Sequence, residues 1–544
     1  MSAPVVNSAL PVRPPEEKTT KRAGDGSAYL SYALVALVIV LFAGIRYRLR
    51  EMPLERDEGE YAYAGQLLLQ GIPPYQLAYN MKLPGTYVAY AVMMSVFGQT
   101  AAGIHVGVLV VNAITTLLMF LLARRFFGTL PSVVASASYA LLSTSSGVLG
   151  FEGHATHFVV LFAIAGLVLL LNGLEKSAPW SIFGAGCLLG LAFVMKQPGI
   201  FFPLFGAVYL LTQELKRKGT WRTSLSRLAV YALGTVVPFA ITCVVLYRVG
   251  VFQKFWFWTF SYARSYATSV DFSHGLEYLR TNAAGVIIPT APIWIIALVG
   301  ITASLWNSNA EPSGRFCYTF LFFSFLAVCP GLYFRPHYFI VLFPAVSLLA
   351  AAAVSSATRR LAMLNRGALL AVPALLFVLA FAGVLWLERE FLFVMAPITA
   401  CRSIYPRDPF VELVQVAKYL QSHTATGERF AVLGSDPQTY FYARRRSVTG
   451  YIYTYPLTED QPYAAAMQEE MIADVERARP KFIVWVDDWK VAPGPRPFVL
   501  TWMGQYLATN YDVVGIIALP DLGGPNSTQP NPRPPIVEVF RLRA

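Results

Sequence analysis

Two adjacent carboxylates and a lysine near the start of the chain have the side-chain types needed for acid–base chemistry beside an anionic group. Asp57 and Glu58 follow the first long apolar run, and Lys82 lies 25 residues after Asp57. A carboxylate can take a proton from an attacking hydroxyl group, a role that contributes about 10²- to 10⁴-fold in rate. An ammonium group stabilises negative charge on a departing phosphate. Charges held against a membrane surface are costly, which indicates that they are used.

The same two acids also have a structural explanation. Acidic residues stabilise the N-terminal end of a helix, and the pattern predicts a helix from about Gly59 to Leu69. Neighbouring residues point to different faces of a helix or strand, so we expect one of Asp57 and Glu58 to be catalytic rather than both. Spacing alone does not decide between capping and catalysis.

Apolar segments dominate the rest of the chain. Of 544 residues, 56% are hydrophobic and 14% charged. Apolar runs of membrane-spanning length recur from residue 29 to about residue 387, which predicts a polytopic α-helical membrane protein with about eleven crossings, and thirteen at most. The run at 86–97 is too short to cross, and we expect it to lie along the membrane face.

The charge distribution argues against a nucleic-acid partner. The formal net charge is +12, but the lysines and arginines gather in short loops between apolar runs, where they set topology and contact lipid headgroups. This pattern predicts a multi-pass membrane protein whose C-terminus lies outside. The five cysteines show no Cys-x-x-Cys spacing, so neither a disulfide framework nor a thiolate metal site is expected.

Three regions are predicted. Residues 1–28 are expected to be a disordered cytoplasmic tail, residues 29–400 a transmembrane catalytic domain with a large first external loop at 48–100, and residues 405–544 a soluble extracytoplasmic α/β domain. Within the last region, Asp487 and Asp488 are interpreted as an exposed strand end, because no glycine-rich phosphate loop accompanies them. The proline-rich stretch from Pro525 to Pro535 is interpreted as a loop.

Further candidate residues lie in other stretches predicted to face the same outer compartment. Arg264 interrupts the aromatic stretch 250–285, which suits an interfacial loop near an anionic headgroup, although an aromatic belt explains its aromatic residues better. Arg335, His337 and Tyr338 come where one span ends and the next begins. These three polar side chains suit a phosphate, and a lipid-headgroup contact is the simpler explanation for the arginine.

Metal chemistry is not favoured by the pattern. Glu152, His154 and His157 have a spacing that resembles a metal site, but two histidines and one acid are weak evidence, and a hydrogen-bonded role is preferred. The region of Asp57 has no Asp-x-Asp pair for a metal-bound sugar nucleotide. No metal cofactor is therefore expected, and a sugar donor would be linked to a lipid.

Taken together, these residues resemble a known group, the multispanning GT-C glycosyltransferases, in particular the family 39 and family 83 type that includes protein O-mannosyltransferases and the aminoarabinose transferase of lipid A. The resemblance covers nearly the whole chain. It rests on Asp57-Glu58 with Tyr61-Ala62, on Lys82-x-Pro84, on Met195-Lys196-Gln197-Pro198-Gly199, on Arg335-x-His337-Tyr338 ahead of Phe343-Pro344-Ala345, and on the C-terminal α/β domain.

The resemblance implies an inverting transferase that moves a monosaccharide from a polyprenyl phosphate to a hydroxyl group of a lipid, glycan or protein acceptor on the outer face of the cytoplasmic membrane. It implies that Asp57 is the general base and that Lys82 and the Arg335 corner bind the donor phosphate. The substrate-binding set expected overall contains Glu58, Tyr61, Lys82, His154, Arg264, Arg335, His337 and Tyr338.

Two departures from the resembling pattern affect the phosphate contacts. Glu60 stands where the lipid A transferases have an arginine three residues after the aspartate, and Leu83 interrupts the Lys-Pro-Pro of many members. Phosphate contacts are then expected to shift to Arg56, Arg264 or Arg335. A flippase for a lipid-linked sugar is the alternative function, although no internal repeat or midplane charge supports it. A third possibility, a C-terminal binding module on an inert anchor, does not explain so many spans.

Overall fold

The computed structural model describes residues 21–217, 220–303, 311–487, 489, 497–519 and 536–544. Within them, seven helical segments are long and apolar enough to cross a membrane, judged by length and composition. They are Tyr29–Arg48, Ala101–Phe127, Ala155–Lys176, Trp221–Arg248, Phe272–Ile301, Pro336–Met363 and Gly367–Leu387. The predicted polytopic helical fold is confirmed.

The other four predicted spans are also helices, but they are shorter. They are Thr129–Leu142, Pro179–Met195, Phe201–Lys216 and Glu311–Leu326. A short helix also forms at Gly85–Phe97, with 13 residues, as its apolar run predicted. At 1.5 Å per residue such a helix reaches only about 20 Å, less than the roughly 30 Å hydrocarbon layer.

Two predicted boundaries differ from the structure. The first helix begins at Lys21, so residues 21–28 of the expected tail are helical, while residues 1–20 lie outside the described ranges. The stretch 250–285 is mostly helical as well, and its last part, from Phe272, already belongs to the next apolar segment. Asp488 and the stretch from Pro525 to Pro535 also lie outside the described residues.

The chain divides into two compact units, and each is described by itself. The first comprises Met1–Tyr47, Val108–Thr242 and Val270–Val394; the second comprises Arg48–Gly107, Cys243–Ser269 and Met395–Ala544. The predicted C-terminal domain therefore shares its compact unit with the first external loop and with part of the aromatic stretch. The reason is direct packing between these segments, which the sequence pattern does not display.

Small residues allow close helix packing in the first unit. A Cβ atom added to Gly186 would lie 2.4 Å from the carbonyl oxygen of Tyr231, and one added to Gly190 would lie 2.3 Å from that of Thr235. The helices Pro179–Met195 and Trp221–Arg248 thus meet backbone to backbone, as is common where apolar side chains gain little from leaving lipid.

The second unit contains a five-stranded sheet with the order β2-β1-β3-β5-β4. The strands are β1 Arg429–Leu433, β2 Arg446–Ser447, β3 Phe482–Val486, β4 Tyr511–Ala518 and β5 Ile536–Leu542. β1 is parallel to β2 and β3, whereas β5 is antiparallel to β3 and β4. The C-terminal region therefore combines helices and strands, as the α/β prediction required.

The helices of the second unit precede this sheet in the chain or connect its strands. Those of the C-terminal region are Pro397–Ile404, Phe410–His423, Gln438–Ala443, Tyr455–Thr458, Ala464–Ala478 and Phe498–Asn510. The aromatic stretch forms Phe252–Trp256, a π-helical segment Phe257–Tyr262, and Ala263–Ala267. The first external loop forms the helix Arg56–Leu69, which we name the acidic helix.

Candidate functional site

The acidic helix begins with a side-chain cap that the sequence analysis did not anticipate. The carboxylate of Glu55 accepts hydrogen bonds of 2.8 Å from the backbone N–H groups of Asp57 and Glu58. The helix starts at Arg56, three residues before the predicted start at Gly59. Burial, followed by the charges of Asp57 and Glu58, raises the pKa of Glu55 well above its usual value. Because Glu55 caps the helix, the side chain of Asp57 is not used for that purpose.

Lys82 lies between two carboxylates of the acidic helix. Its Nζ atom is 2.8 Å from Oδ1 of Asp57 and 2.7 Å from Oε2 of Glu60. The side chains of Asp57 and Lys82 are 20% and 19% exposed, whereas that of Glu60 is fully buried. The lysine Nζ also lies 4.5 Å from the ring centroid of Tyr61. The structure therefore brings the three candidate residues Asp57, Lys82 and Tyr61 together.

Glu60, which the sequence analysis noted only as a departure, is the buried anchor of this cluster. Besides Lys82 it accepts hydrogen bonds from the Tyr87 hydroxyl at 2.5 Å and from Nδ2 of Asn80 at 2.8 Å. Burial raises the pKa of Glu60; the charge of Lys82 lowers it and that of Asp57 raises it. A buried carboxylate with three donors is well compensated, so it can hold Lys82 in a fixed position.

The charge of Lys82 is secured by its two acidic neighbours. Burial by itself lowers the pKa of Lys82, but the charges of Asp57 and Glu60 outweigh it, and the net shift is well above the usual value. The ammonium group is therefore protonated throughout the physiological pH range.

Glu58 points into a different environment, as adjacent residues on a helix must. It is fully buried, and its Oε1 lies 3.2 Å from Nε2 of His105. Nδ1 of His105 is 2.8 Å from the carbonyl oxygen of Arg50, which only accepts, so this nitrogen carries a proton. Glu58 is thus buried and paired with His105, and this position does not favour the predicted contact with substrate.

Two of the arginines expected to replace the missing phosphate ligand, Arg56 and Arg264, lie in the second unit. Arg56 donates to the backbone oxygen of Ser435 at 2.7 Å and forms ion pairs with Asp408 and Asp436 at 3.4 and 3.8 Å. Its guanidinium group therefore joins the acidic helix to the C-terminal region. Arg264 lies exposed on the short helix Ala263–Ala267.

The remaining predicted residues lie in the first unit, and the structure brings His154, His337 and Tyr338 together. The rings of His154 and His337 stack with centroids 4.0 Å apart, and both side chains are buried. Lys196 lies with its Nζ 3.9 Å from the ring centroid of Tyr338. Lys196 belongs to the motif Met195-Lys196-Gln197-Pro198-Gly199 but was not predicted as a site residue. Arg335 is exposed, and its guanidinium lies 5.4 Å from the ring of Tyr333.

The loop that carries His154 is held by buried charges. Both Nη atoms of Arg46 donate to backbone carbonyl groups, to Ser143 at 2.8 Å, to Gly150 at 2.7 Å and to Phe151 at 3.1 Å. Glu388 accepts from the hydroxyl group of Ser145 and from the next backbone N–H. Neither Arg46 nor Glu388 had been predicted as a contact of this loop. An arginine at the end of a span, such as Arg46, is normally a topology signal.

Comparisons with known proteins can be set against this geometry. The family described as dolichyl-phosphate-mannose-protein mannosyltransferase matches residues 82–246. An undecaprenyl phosphate-α-4-amino-4-deoxy-L-arabinose arabinosyl transferase of Pseudomonas paraeruginosa is 27% identical over 274 residues, 48% of either chain. A polyprenol-phosphate-mannose–protein mannosyltransferase of Mycolicibacterium smegmatis is 27% identical over 286 residues, 44% of this chain and 53% of the relative. The chain spans about half the length of the curated relatives it matches.

The crystal structure of ArnT from Cupriavidus metallidurans bound to undecaprenyl phosphate decides the fold. It matches with a TM-score of 0.56 at 17% identity and covers 94% of this chain and 98% of that one. The chain has the GT-C fold. The resemblance to GT-C glycosyltransferases of the family 39 and 83 type, first indicated by Asp57, Lys82 and the Arg335 corner, is confirmed by these matches.

Proposed function

We propose that this GT-C protein is an inverting glycosyltransferase that moves a monosaccharide from a polyprenyl phosphate to a hydroxyl group of a lipid, glycan or protein acceptor. One observation carries the proposal: Asp57 is the carboxylate of the acidic helix that is both partly exposed and paired with a cation. Glu58 and Glu60 are both fully buried; Glu58 pairs with His105, and Glu60 shares Lys82 with Asp57. The relatives named for polyprenyl-phosphate donors support the donor class.

The reaction follows from the positions of Asp57 and Lys82. Asp57 takes the proton of the acceptor hydroxyl while that oxygen forms a bond to the anomeric carbon. The bond between the anomeric carbon and the phosphate oxygen breaks, and its electron pair leaves with the polyprenyl phosphate. Lys82 places positive charge where the leaving phosphate gains negative charge. A single displacement inverts the anomeric configuration.

The proposal includes no metal ion. Lys82 supplies a fixed positive charge 2.8 Å from Asp57, which is the electrostatic task that a divalent ion performs in sugar-nucleotide enzymes. We expect turnover to be unchanged after dialysis against EDTA. Loss of turnover that returns with added Zn²⁺, Mg²⁺ or Mn²⁺ would contradict this part.

Substitution of Asp57 tests the proposal. Asp57→Asn keeps the shape of the side chain and removes the base, so we expect transfer from undecaprenyl-phosphate mannose or undecaprenyl-phosphate 4-amino-4-deoxy-L-arabinose to fall at least about 100-fold. Asp512→Asn is the matched control, since Asp512 is exposed and pairs with Arg543. Undiminished transfer by Asp57→Asn protein would exclude Asp57 as the base.

The proposed location is the cytoplasmic membrane, with the acidic helix and the C-terminal region outside. A membrane-impermeant maleimide should label a Ser422→Cys variant on intact cells, because Ser422 is exposed in the C-terminal region. An Arg366→Cys variant should react only after the cells are permeabilised, because the charge pattern predicts that its loop is cytoplasmic. The reverse pattern would overturn the orientation.

A further inference from the structure

Residues 447–459, which we name the tyrosine loop, connect the C-terminal region to the first external loop within one unit. The backbone N–H of Ser447 donates to the Tyr63 hydroxyl at 2.8 Å. The carbonyl oxygen of Gly450 accepts from the backbone N–H of Tyr79 at 2.7 Å. A Cβ atom added to Gly450 would lie 2.3 Å from the Tyr79 ring, so the ring packs directly on the backbone of Gly450. The loop is thus fixed to the segment that carries Asp57 and Lys82.

Tyr453 extends this attachment to the ion pair. Its hydroxyl group donates to the carbonyl oxygen of Arg56 at 3.1 Å, at the first residue of the acidic helix. Its ring centroid lies 5.9 Å from Nζ of Lys82. The side chain is only 3% exposed. Tyr453 is therefore held in place and offers little surface to a substrate.

Tyr455 differs from Tyr453 in being partly exposed. Its ring centroid lies 5.2 Å from that of Tyr453. Burial raises the pKa of the Tyr455 hydroxyl; the charge of Lys82 lowers it and that of Glu60 raises it. Part of the Tyr455 side chain therefore remains accessible beside the ring of Tyr453.

We propose that the C-terminal region completes the donor pocket: the ring of Tyr455 contacts the sugar of the donor, and Tyr453 positions that ring. The proposal rests on the glycosyl transfer proposed above. An aromatic face carries partial negative charge, and the C–H groups on one face of a sugar ring are weakly positive, so the two surfaces attract. Tyr455 is partly exposed and packs on Tyr453, whose ring lies 5.9 Å from Nζ of Lys82. It is therefore placed to select the sugar while the lysine holds the phosphate.

The test separates recognition of the sugar from recognition of the lipid phosphate. The thermal unfolding temperature of the full chain in detergent is measured with undecaprenyl-phosphate mannose, with undecaprenyl-phosphate 4-amino-4-deoxy-L-arabinose and with bare undecaprenyl phosphate. We expect Tyr455→Ala to weaken binding of the sugar-bearing lipid about tenfold and to leave binding of the bare lipid unchanged. In turnover assays, KM for the donor should rise while kcat changes less.

Conservative variants and a surface control decide between recognition and simple stability. Tyr455→Phe keeps the ring and should bind the sugar-bearing lipid like the wild type. Tyr453→Phe loses the hydrogen bond to Arg56 and should show part of the Tyr455→Ala defect. Tyr419→Ala removes an exposed ring from the helix Phe410–His423 and should not change the binding of any of the three lipids.

The outcomes distinguish this proposal from the proposed function. If Tyr455→Ala protein prefers a sugar-bearing lipid over the bare lipid as strongly as the wild type does, the role of Tyr455 is excluded while glycosyl transfer stands. Equal weakening for all three lipids would show a structural role and would also overturn the proposal. If the wild type itself neither prefers nor consumes a sugar-bearing lipid, the proposed function fails, and the role of Tyr455 falls with it.

Discussion

Gly59 of the acidic helix and Gln438 of the C-terminal region meet so closely that no side chain fits between them. A Cβ atom added to Gly59 would lie 2.6 Å from both the Cβ and the backbone nitrogen of Gln438. Because backbone atoms on the second helix cannot yield as a flexible side chain does, glycine is required at this position. The contact also fixes the helix that carries Asp57 against the C-terminal region.

We therefore expect Gly59→Ala to destabilise the protein by about 1–3 kcal/mol, the usual cost of overpacking a close contact. Transfer activity should fall as well, since the helix that presents Asp57 must shift. Gly504→Ala is the matched control, because the space around Gly504 is open. In a helix interior that change should be neutral or stabilising by up to about 1 kcal/mol. Equal melting temperatures of the two variants in detergent would contradict the prediction.

Lys82 and Glu60 provide a second prediction. Removing one partner of a buried ion pair leaves a buried charge and costs about 3–5 kcal/mol. Lys82→Met should therefore lower stability strongly, and adding Glu60→Gln should restore part of the loss. The control is Lys254→Met: this lysine is half exposed and lies 3.9 Å from Glu470, so its removal should cost about 0–1 kcal/mol. A double-mutant cycle of unfolding measurements gives the coupling, and additive effects would show that the pair is not coupled.

The pH dependence of the Lys82→Met variant follows from the raised pKa of Glu60. A carboxyl group whose pKa is higher in the folded state binds more protons when folded, so its contribution to stability falls as the pH rises above about 4.5. The charge of Lys82 lowers the pKa of Glu60, so removal of Lys82 raises that pKa further. The loss of stability then extends to higher pH. Relative to the wild type, the variant should gain stability as the pH is lowered from about 8 to about 5. The gain should disappear when Glu60→Gln is added; a gain that persists would assign it to another group.

These residues also show what the sequence could and could not predict. Apolar runs predicted the membrane helices because burial in lipid demands an unbroken apolar surface. The order of motifs indicated the group around Asp57 and Lys82. Glu60 and His105 were missed because their importance depends on partners brought close only by folding. A buried carboxylate and an exposed one look the same in a sequence, so Glu58 was expected to contact substrate.

Glu58 and His105 support a prediction that separates stability from catalysis. Glu58→Ala removes a buried partner of His105 and should cost about 1–3 kcal/mol of stability. In protein that remains folded, KM for the lipid-linked donor should stay unchanged. The side chains of Glu58 and His105 are buried, whereas Asp57 is partly exposed on another face of the helix. Glu51→Ala is the control, since Glu51 is largely exposed and its pairing with Arg50 is long at 3.7 Å. A rise in KM without loss of stability would restore the substrate role first expected for Glu58.

Arg46 leads to a prediction for the first unit, where one guanidinium group binds three backbone carbonyls of the loop 143–151. Lysine keeps the charge but has a single nitrogen, so Arg46→Lys cannot reach the same three oxygens. Loss of hydrogen bonds from a charged group costs about 1.5–3 kcal/mol each, and the carbonyls left buried without a donor add to the loss. We expect a lower melting temperature and faster hydrogen exchange in residues 143–154. Arg124→Lys, at a more exposed arginine that contacts Tyr32, should change neither. If Arg46→Lys protein exchanges these amides at the wild-type rate, the loop is held by its own backbone and by Glu388, and Arg46 is dispensable for its position.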